Sequence, residues 1–124
     1  MVLDAGAFLA VERGDRAMLA RLRAAERHGA SLRSNGIVVA QVWRDARGRQ
    51  ARLAKFLHAV DVRAVDSQLG RDAGGLLARS GTSDPIDATV VLVADHGDRI
   101  LTSDPEDIQR LVSAAGRRCV VLEV

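Results

Sequence analysis

An α/β domain built on a parallel sheet is the fold class this chain predicts, and two observations carry that expectation. Short strand candidates at residues 2–4, 30–33, 60–65, 99–102 and 118–124 alternate with longer helical segments, the pattern of strands joined by helical crossovers. A six-residue phrase also occurs twice, as Thr82-Ser83-Asp84-Pro85-Ile86-Asp87 and Thr102-Ser103-Asp104-Pro105-Glu106-Asp107. Each copy reads as a helix start. Asp at the N-cap accepts bonds from orphan backbone N–H groups, Pro fits the first turn, and an Asp three residues on favours the positive helix end. The expected architecture is a three-layer α/β/α domain with a central parallel sheet of four or five strands. Residues 1–124 form one domain, large enough for a proper core.

In chain order, Val2-Leu3-Asp4 reads as a short apolar strand ending on Asp4, followed by a turn and a helix. Residues 12–28 form a helical region with Met18, Leu19 and Leu22 on one face, ended by Gly29. After the strand at 30–33, Ser34 or Asn35 caps a helix over 36–47, which holds Val38, Val39, Val42 and Trp43 and sets Gln41 and Asp45 one turn apart. Arg47-Gly48-Arg49 breaks it, and a second basic helix follows over 50–58. A strand at 60–65 leads to a helix over 67–79, where Gly74-Gly75 predicts close packing or a kink. Residues 88–94 form a buried-looking helix, 95–98 a turn, 99–102 a strand and 118–124 the closing strand.

Composition narrows the function classes. Apolar residues make up 48% of the chain but aromatics only 2%, so the core must be built from Ala, Val, Leu and Ile. Cys119 is the single cysteine, which excludes an internal disulfide framework and a cysteine-rich zinc site. No run approaches the ~20 apolar residues of a membrane span, and no basic leader precedes an apolar stretch. A reducing cytoplasm is the expected home, with no membrane partner. Net charge is +2, unevenly spread: 12 basic against 6 acidic side chains in residues 1–63, and 6 against 10 in residues 64–124. Backbone phosphates would meet the arginines of such a chain, and a scissile phosphate its acidic pocket. Ordinary solvated helix faces explain several of the same arginines. His28, His58 and His96 lack ligand spacing and are assigned to surface or packing, and Trp43 to the core.

The acidic residues are the sharper signal. With the first strand and the 99–102 strand as neighbours in a parallel sheet, Asp4 and Asp104 converge at one edge, within reach of Asp87 on the intervening helix. Carboxylates brought together repel and raise one another's pKa unless a cation neutralises them. Oxygen-only ligands suit Mg²⁺ or Mn²⁺. Capping alone is the plainer reading of any single Asp here, and Asp84 is assigned to it. Thr102 and Ser103 are candidates to hydrogen-bond the carboxylates or a phosphate, with simple turn chemistry as the alternative.

These pieces together resemble a known family. Val2-Leu3-Asp4-Ala5, Val38-Val39-Ala40-Gln41-Val42-Trp43-Arg44, Asp87-Ala88-Thr89-Val90-Val91-Leu92-Val93-Ala94 and Leu101-Thr102-Ser103-Asp104 resemble the PIN-domain ribonucleases of the VapC type, toxins of bacterial toxin–antitoxin pairs. The likeness spans the whole chain, with the acidic landmarks in the family's order. It implies the same α/β/α architecture and metal-assisted hydrolysis of RNA. Asp4, Asp87 and Asp104 would hold one Mg²⁺ or Mn²⁺, or two. Asp107 lies where some relatives carry a further acid, so support of the site and simple capping stand side by side. The resemblance also implies a homodimer and a small antitoxin partner, while the Arg-rich first half makes Arg44, Arg47, Arg49 and Arg52 the candidate RNA track. The chain departs from the family at Gln41, where most relatives have Glu; the amide brings no negative charge. That departure keeps open a catalytically weak metal- or RNA-binding module. A phosphoryl-transfer or receiver-like domain is the remaining alternative. Asp4-Ala5-Gly6 lacks the Asp-x-Asp of haloacid-dehalogenase phosphatases, and the only lysine is Lys55, not the late lysine of receivers.

Overall fold

Parallel strands cannot be joined by tight turns, and helices make every crossover in this chain. The structure, a computed structural model, describes residues 1–44 and 47–124. In order the elements are β1 (Val2–Leu3), α1 (Ala5–Glu12), α2 (Arg16–Arg27), β2 (Leu32–Asn35), α3 (Gly36–Val42), α4 (Ala51–Leu57), β3 (Val60–Arg63), α5 (Ser67–Ser80), α6 (Pro85–Leu92), β4 (Arg99–Thr102), α7 (Pro105–Ala114) and β5 (Val120–Glu123). The five strands are all parallel, in the order β3-β2-β1-β4-β5. The chain winds outward from β1 to β3, then returns to lay β4 on the other side of β1. Helices α2, α3 and α4 pack on α1, and α5, α6 and α7 pack on one another, the two groups that right-handed crossovers place on opposite faces of such a sheet. The reversal between β1 and β4 opens a crevice at their C-terminal ends, where open α/β sheets bind ligands.

The core is aliphatic, as the composition requires. Val2, Leu3, Ile100 and Leu101 of the two central strands are completely buried, beneath Val90 and Val91 of α6 and Ile108 and Leu111 of α7. Two of the few aromatics meet edge to face: the Phe8 and Phe56 rings lie 5.9 Å apart at 65°, joining α1 to α4. Trp43 is half-buried against this core.

Several boundaries differ from the sequence expectation, each for a local reason. The helix expected over 12–28 is two helices. Gly14 turns left-handed at φ 72°, and the Asp15 carboxylate accepts the Met18 N–H at 2.9 Å to start α2 afresh. No turn separates Asp4 from α1, because Asp4 is itself the N-cap. The second strand runs two residues later than expected and ends on Asn35, which caps α3. That helix stops at Val42 rather than at 47, since Trp43 turns extended at φ −79°, ψ 131°. The buried Gln50 side chain then gathers the loop, accepting the Arg44 N–H at 2.7 Å and donating to the Val42 carbonyl at 2.8 Å and the Glu12 carboxylate at 2.9 Å. Asp45, expected one turn beyond Gln41, lies outside the described residues. Gly74 and Gly75 are exposed on an unbroken α5, so neither close packing nor a kink explains them. The helix expected over 88–94 begins earlier, at Pro85, where the six-residue phrase places it.

The Phe8–Phe56 contact yields a stability prediction. Phe8 is wholly buried, so Phe8→Ala should cost about 3–5 kcal/mol in urea unfolding, the usual price of an emptied aromatic site. Phe56→Ala should cost less, because Phe56 is only partly buried.

Candidate metal centre

Strands β1 and β4 lie side by side, with Val2 opposite Ile100 and Leu3 opposite Leu101. The ladder runs one bond past β1: the Asp4 N–H donates to the Leu101 carbonyl at 3.0 Å. From β2, the Ser34 hydroxyl donates to the Leu3 carbonyl at 2.8 Å. Asp4 is thereby fixed from both neighbouring strands. Its carboxylate is fixed as well, accepting the Ala5 N–H at 2.7 Å through Oδ1 and the Thr102 hydroxyl at 2.7 Å through Oδ2. Thr102 is fully buried, and its oxygen also accepts the Asp104 N–H at 3.0 Å. One hydroxyl therefore ties the loop after β1 to the loop after β4. Ser103 is exposed, and its side chain lies against Gly6. A Cβ at Gly6 would come 2.0 Å from Ser103 Oγ, so a larger residue there would force the Ser103 hydroxyl to turn away.

The two copies of the repeated phrase part company here. Asp84 caps α6, its Oδ1 accepting the Ile86 N–H at 2.8 Å and the Asp87 N–H at 3.4 Å. Asp104 stands at the same place before α7 but accepts no N–H through its side chain. The preceding threonines differ as well. Thr102 ends a strand, and its hydroxyl has already taken the Asp104 amide. Thr82 instead bonds Ser80, at 2.7 Å. Among the described residues, no hydrogen-bond donor holds the Asp104 carboxylate.

It is not alone. Carboxylate oxygens of Asp87, Asp104 and Asp107 all lie within 4.8 Å of one another. Asp87 is buried, Asp104 exposed and Asp107 half-buried. Burial, and then the negative charges of Asp84, Asp4, Asp104 and Asp107, push the Asp87 carboxyl from the ordinary 3.8 up to about 7. Hard oxygen donors crowded at this spacing suit a divalent cation, whose charge would remove the repulsion. Of the expected trio, Asp87 and Asp104 belong to this close group. Asp4 stands beside it, near enough for its charge to act on Asp87. Asp107, expected in support or as a cap, belongs to the close group, and it also accepts from Arg110 at 3.4 Å.

Gln41 is exposed on α3 and lines a cleft of about 300 Å³ with Leu9, Glu12, Val42, Arg44, Arg49 and Gln50. None of the clustered aspartates lines that cleft. Arg44 donates to the carbonyls of Ala40 and Trp43, and Arg52 to the Glu12 carbonyl at 3.1 Å. Arg47 occupies the turn before α4 with φ 56°. A larger cavity, about 770 Å³, lies at the opposite edge of the sheet, among Arg21, His28, Arg33 and Arg99. It is far from the carboxylates, so size does not mark the site. Sequence reading gave Asn35 only a capping role and Thr89 none. Both are buried, and the Asn35 amide donates to the Thr89 hydroxyl at 3.1 Å. A threonine inside the otherwise apolar run after Asp87 was the available signal.

No family model and no curated protein matches the sequence. Among solved structures, one chain in the crystal structure of VapBC2 from Rickettsia felis bound to a DNA fragment from their promoter shares the fold. The TM-score is 0.72, covering 99% of this chain and 97% of that chain at 13% identity. The architecture is therefore the PIN-like α/β fold that the sequence resemblance implied.

The divergent aspartates predict opposite effects on cation-free stability. Asp84→Ala should destabilise by about 1 kcal/mol, as loss of a helix cap does. Asp104→Ala should be neutral or stabilising, because it removes a repelling charge and no bond. The Asp87 carboxyl holds its proton more tightly folded than unfolded. Without divalent cations, the contribution of Asp87 to stability should therefore be greatest below pH about 4 and be lost as pH rises to about 7. Urea titrations across that window, with parent and Asp87→Asn side by side, check the sign: the mutant should lose this component of the slope.

Proposed function

We propose that this chain is a divalent-cation-dependent endoribonuclease that acts as the toxin of a toxin–antitoxin pair in the cytoplasm. The observation that supports it most is the group of aspartates at the β1/β4 crevice of a PIN-like fold. Asp87, Asp104 and Asp107, with Asp4 beside them, would hold Mg²⁺ or Mn²⁺. When bound, such a cation supplies Lewis-acid stabilisation of phosphate charge and activation of the attacking water. The chain's own residues prepare that chemistry. Thr102 keeps the Asp4 carboxylate from swinging away, and the free Asp104 carboxylate stands open to solvent. Arg44, Arg47, Arg49 and Arg52, in the basic half, supply the RNA backbone track. A small antitoxin as partner is supported by the neighbour's being a VapBC2 complex. A homodimer follows from the family resemblance.

A second reading, a metal- or RNA-binding module with little catalysis, is favoured by Gln41, which brings no charge where relatives carry Glu. Incubating RNA with the protein and Mg²⁺ or Mn²⁺ separates the two. Cleavage abolished by a chelator supports the nuclease, whereas cation binding without cleavage supports the module. Asp4→Asn and Asp104→Asn should each lower cleavage about 100-fold or more, the scale of removing a charge-stabilising group from a reaction centre, with circular dichroism unchanged. RNA binding by the Asp104→Asn protein should weaken steeply with salt, and the slope should flatten when Arg44, Arg49 and Arg52 become Gln. A flat salt response in the parent would remove these arginines from the substrate path.

A further inference from the structure

The Asp87 carboxylate differs from that of Asp4 in how it is held. Asp4 is gripped by two donors. Among the described residues, no donor holds the Asp87 side chain, so its position depends on where α6 lies. Strand β2 fixes that helix at two points. Arg33 and Asn35 leave β2 on one face, as side chains two apart on a strand do. Arg33 Nη1 donates to the Val93 carbonyl at the C-cap of α6, at 2.8 Å. Asn35 Nδ2 donates to Thr89 Oγ1, at 3.1 Å. The spacings match: two strand residues span about 6.6 Å and four helical residues about 6.0 Å. Sliding α6 by one residue along β2 would break both bonds.

The tether is also rigid. Asn35 Oδ1 accepts the Ile37 and Val38 N–H groups at 3.0 and 3.2 Å, which leaves only its amide nitrogen to face α6. Thr89 completes the chain by donating to the Ile86 carbonyl at 2.7 Å. Asn35 is 0% and Thr89 5% exposed, so water is poorly placed to replace either partner.

We propose that Asn35 and Thr89 are positioning residues whose bond, in register with Arg33–Val93, sets where α6 presents Asp87 to the cation. The proposal rests on the metal-dependent reading above. Mn²⁺ affinity of the full chain, measured by calorimetry, tests it in Thr89→Val, Thr89→Ser, Asn35→Ser and the Asn35→Ser/Thr89→Val double variant. Serine at 35 keeps the helix cap but cannot reach Thr89. Thr89→Val and Asn35→Ser should each weaken Mn²⁺ binding about tenfold, the scale of losing an outer partner of a ligand. The double variant should be little worse than either single one, because both break one bond. Thr89→Ser should return near the parent value, and Leu22→Val, a core change in α2, should leave Mn²⁺ affinity unchanged. Thr89→Val binding like the parent, Thr89→Ser binding as weakly as Thr89→Val, or losses that simply add would overturn the proposal. If the parent binds no Mn²⁺, the metal reading fails, and metal-free hydrogen exchange of the α6 amides decides the tether. Faster exchange in Thr89→Val but not Thr89→Ser sustains it; equal exchange in all three proteins overturns it.

Discussion

The hydrogen bond from the Asp4 amide to the Leu101 carbonyl, 3.0 Å long, is the contact on which the site depends. It extends the pairing of a strand only two residues long and makes β1 the neighbour of β4. That adjacency forces the chain to double back after β3, and it brings together two loops nearly a hundred residues apart. The shortest strand is also among the most buried, with Val2 and Leu3 fully enclosed. Length matters less here than being central. A strand with neighbours on both edges and helices on both faces is held by packing that an edge strand lacks.

Among the described residues, all the buried polar side chains except Gln50 gather at this edge of the sheet: Asp4, Ser34, Asn35, Asp87, Thr89 and Thr102. Burying a polar group is costly unless a partner replaces water. Ser34, Asn35, Thr89 and Thr102 all have such partners, and their bonds run from strand to strand and from strand to helix. The same bonds that satisfy these groups make the edge rigid. Asp87 is the exception. It is buried beside like charges without a donor to its carboxylate, and its raised pKa records that cost. A divalent cation is the kind of group that would offset this cost.

The basic half of the chain is organised separately. Gln50 closes the loop between α3 and α4 onto Glu12, and arginines surround the cleft that results. The carboxylates belong instead to α6 and α7 and the ends of β1 and β4. The imbalance of charge along the sequence thus becomes a separation between two regions of the fold.

The sequence by itself determined the fold class, the five strands and most helix starts, and it singled out Asp4, Asp87 and Asp104 as candidates. These follow from local rules, because apolar runs, caps and breakers act within a few residues. It also marked both repeated phrases as helix starts, and both are. It could not decide what each aspartate in those phrases does. Asp84 and Asp104 follow the same Thr-Ser and precede the same Pro, yet Asp84 caps its helix while Asp104, after a threonine whose hydroxyl binds Asp4 and the Asp104 amide, accepts no N–H of α7. Strand order was likewise beyond local reading, since it depends on contacts between distant segments. So was the place of Gln41 beside the arginine cleft, because the residues it meets come from α1, α3 and the loop before α4. The tertiary structure decided these points, for hydrogen-bond partners far apart in sequence leave no periodic trace in it.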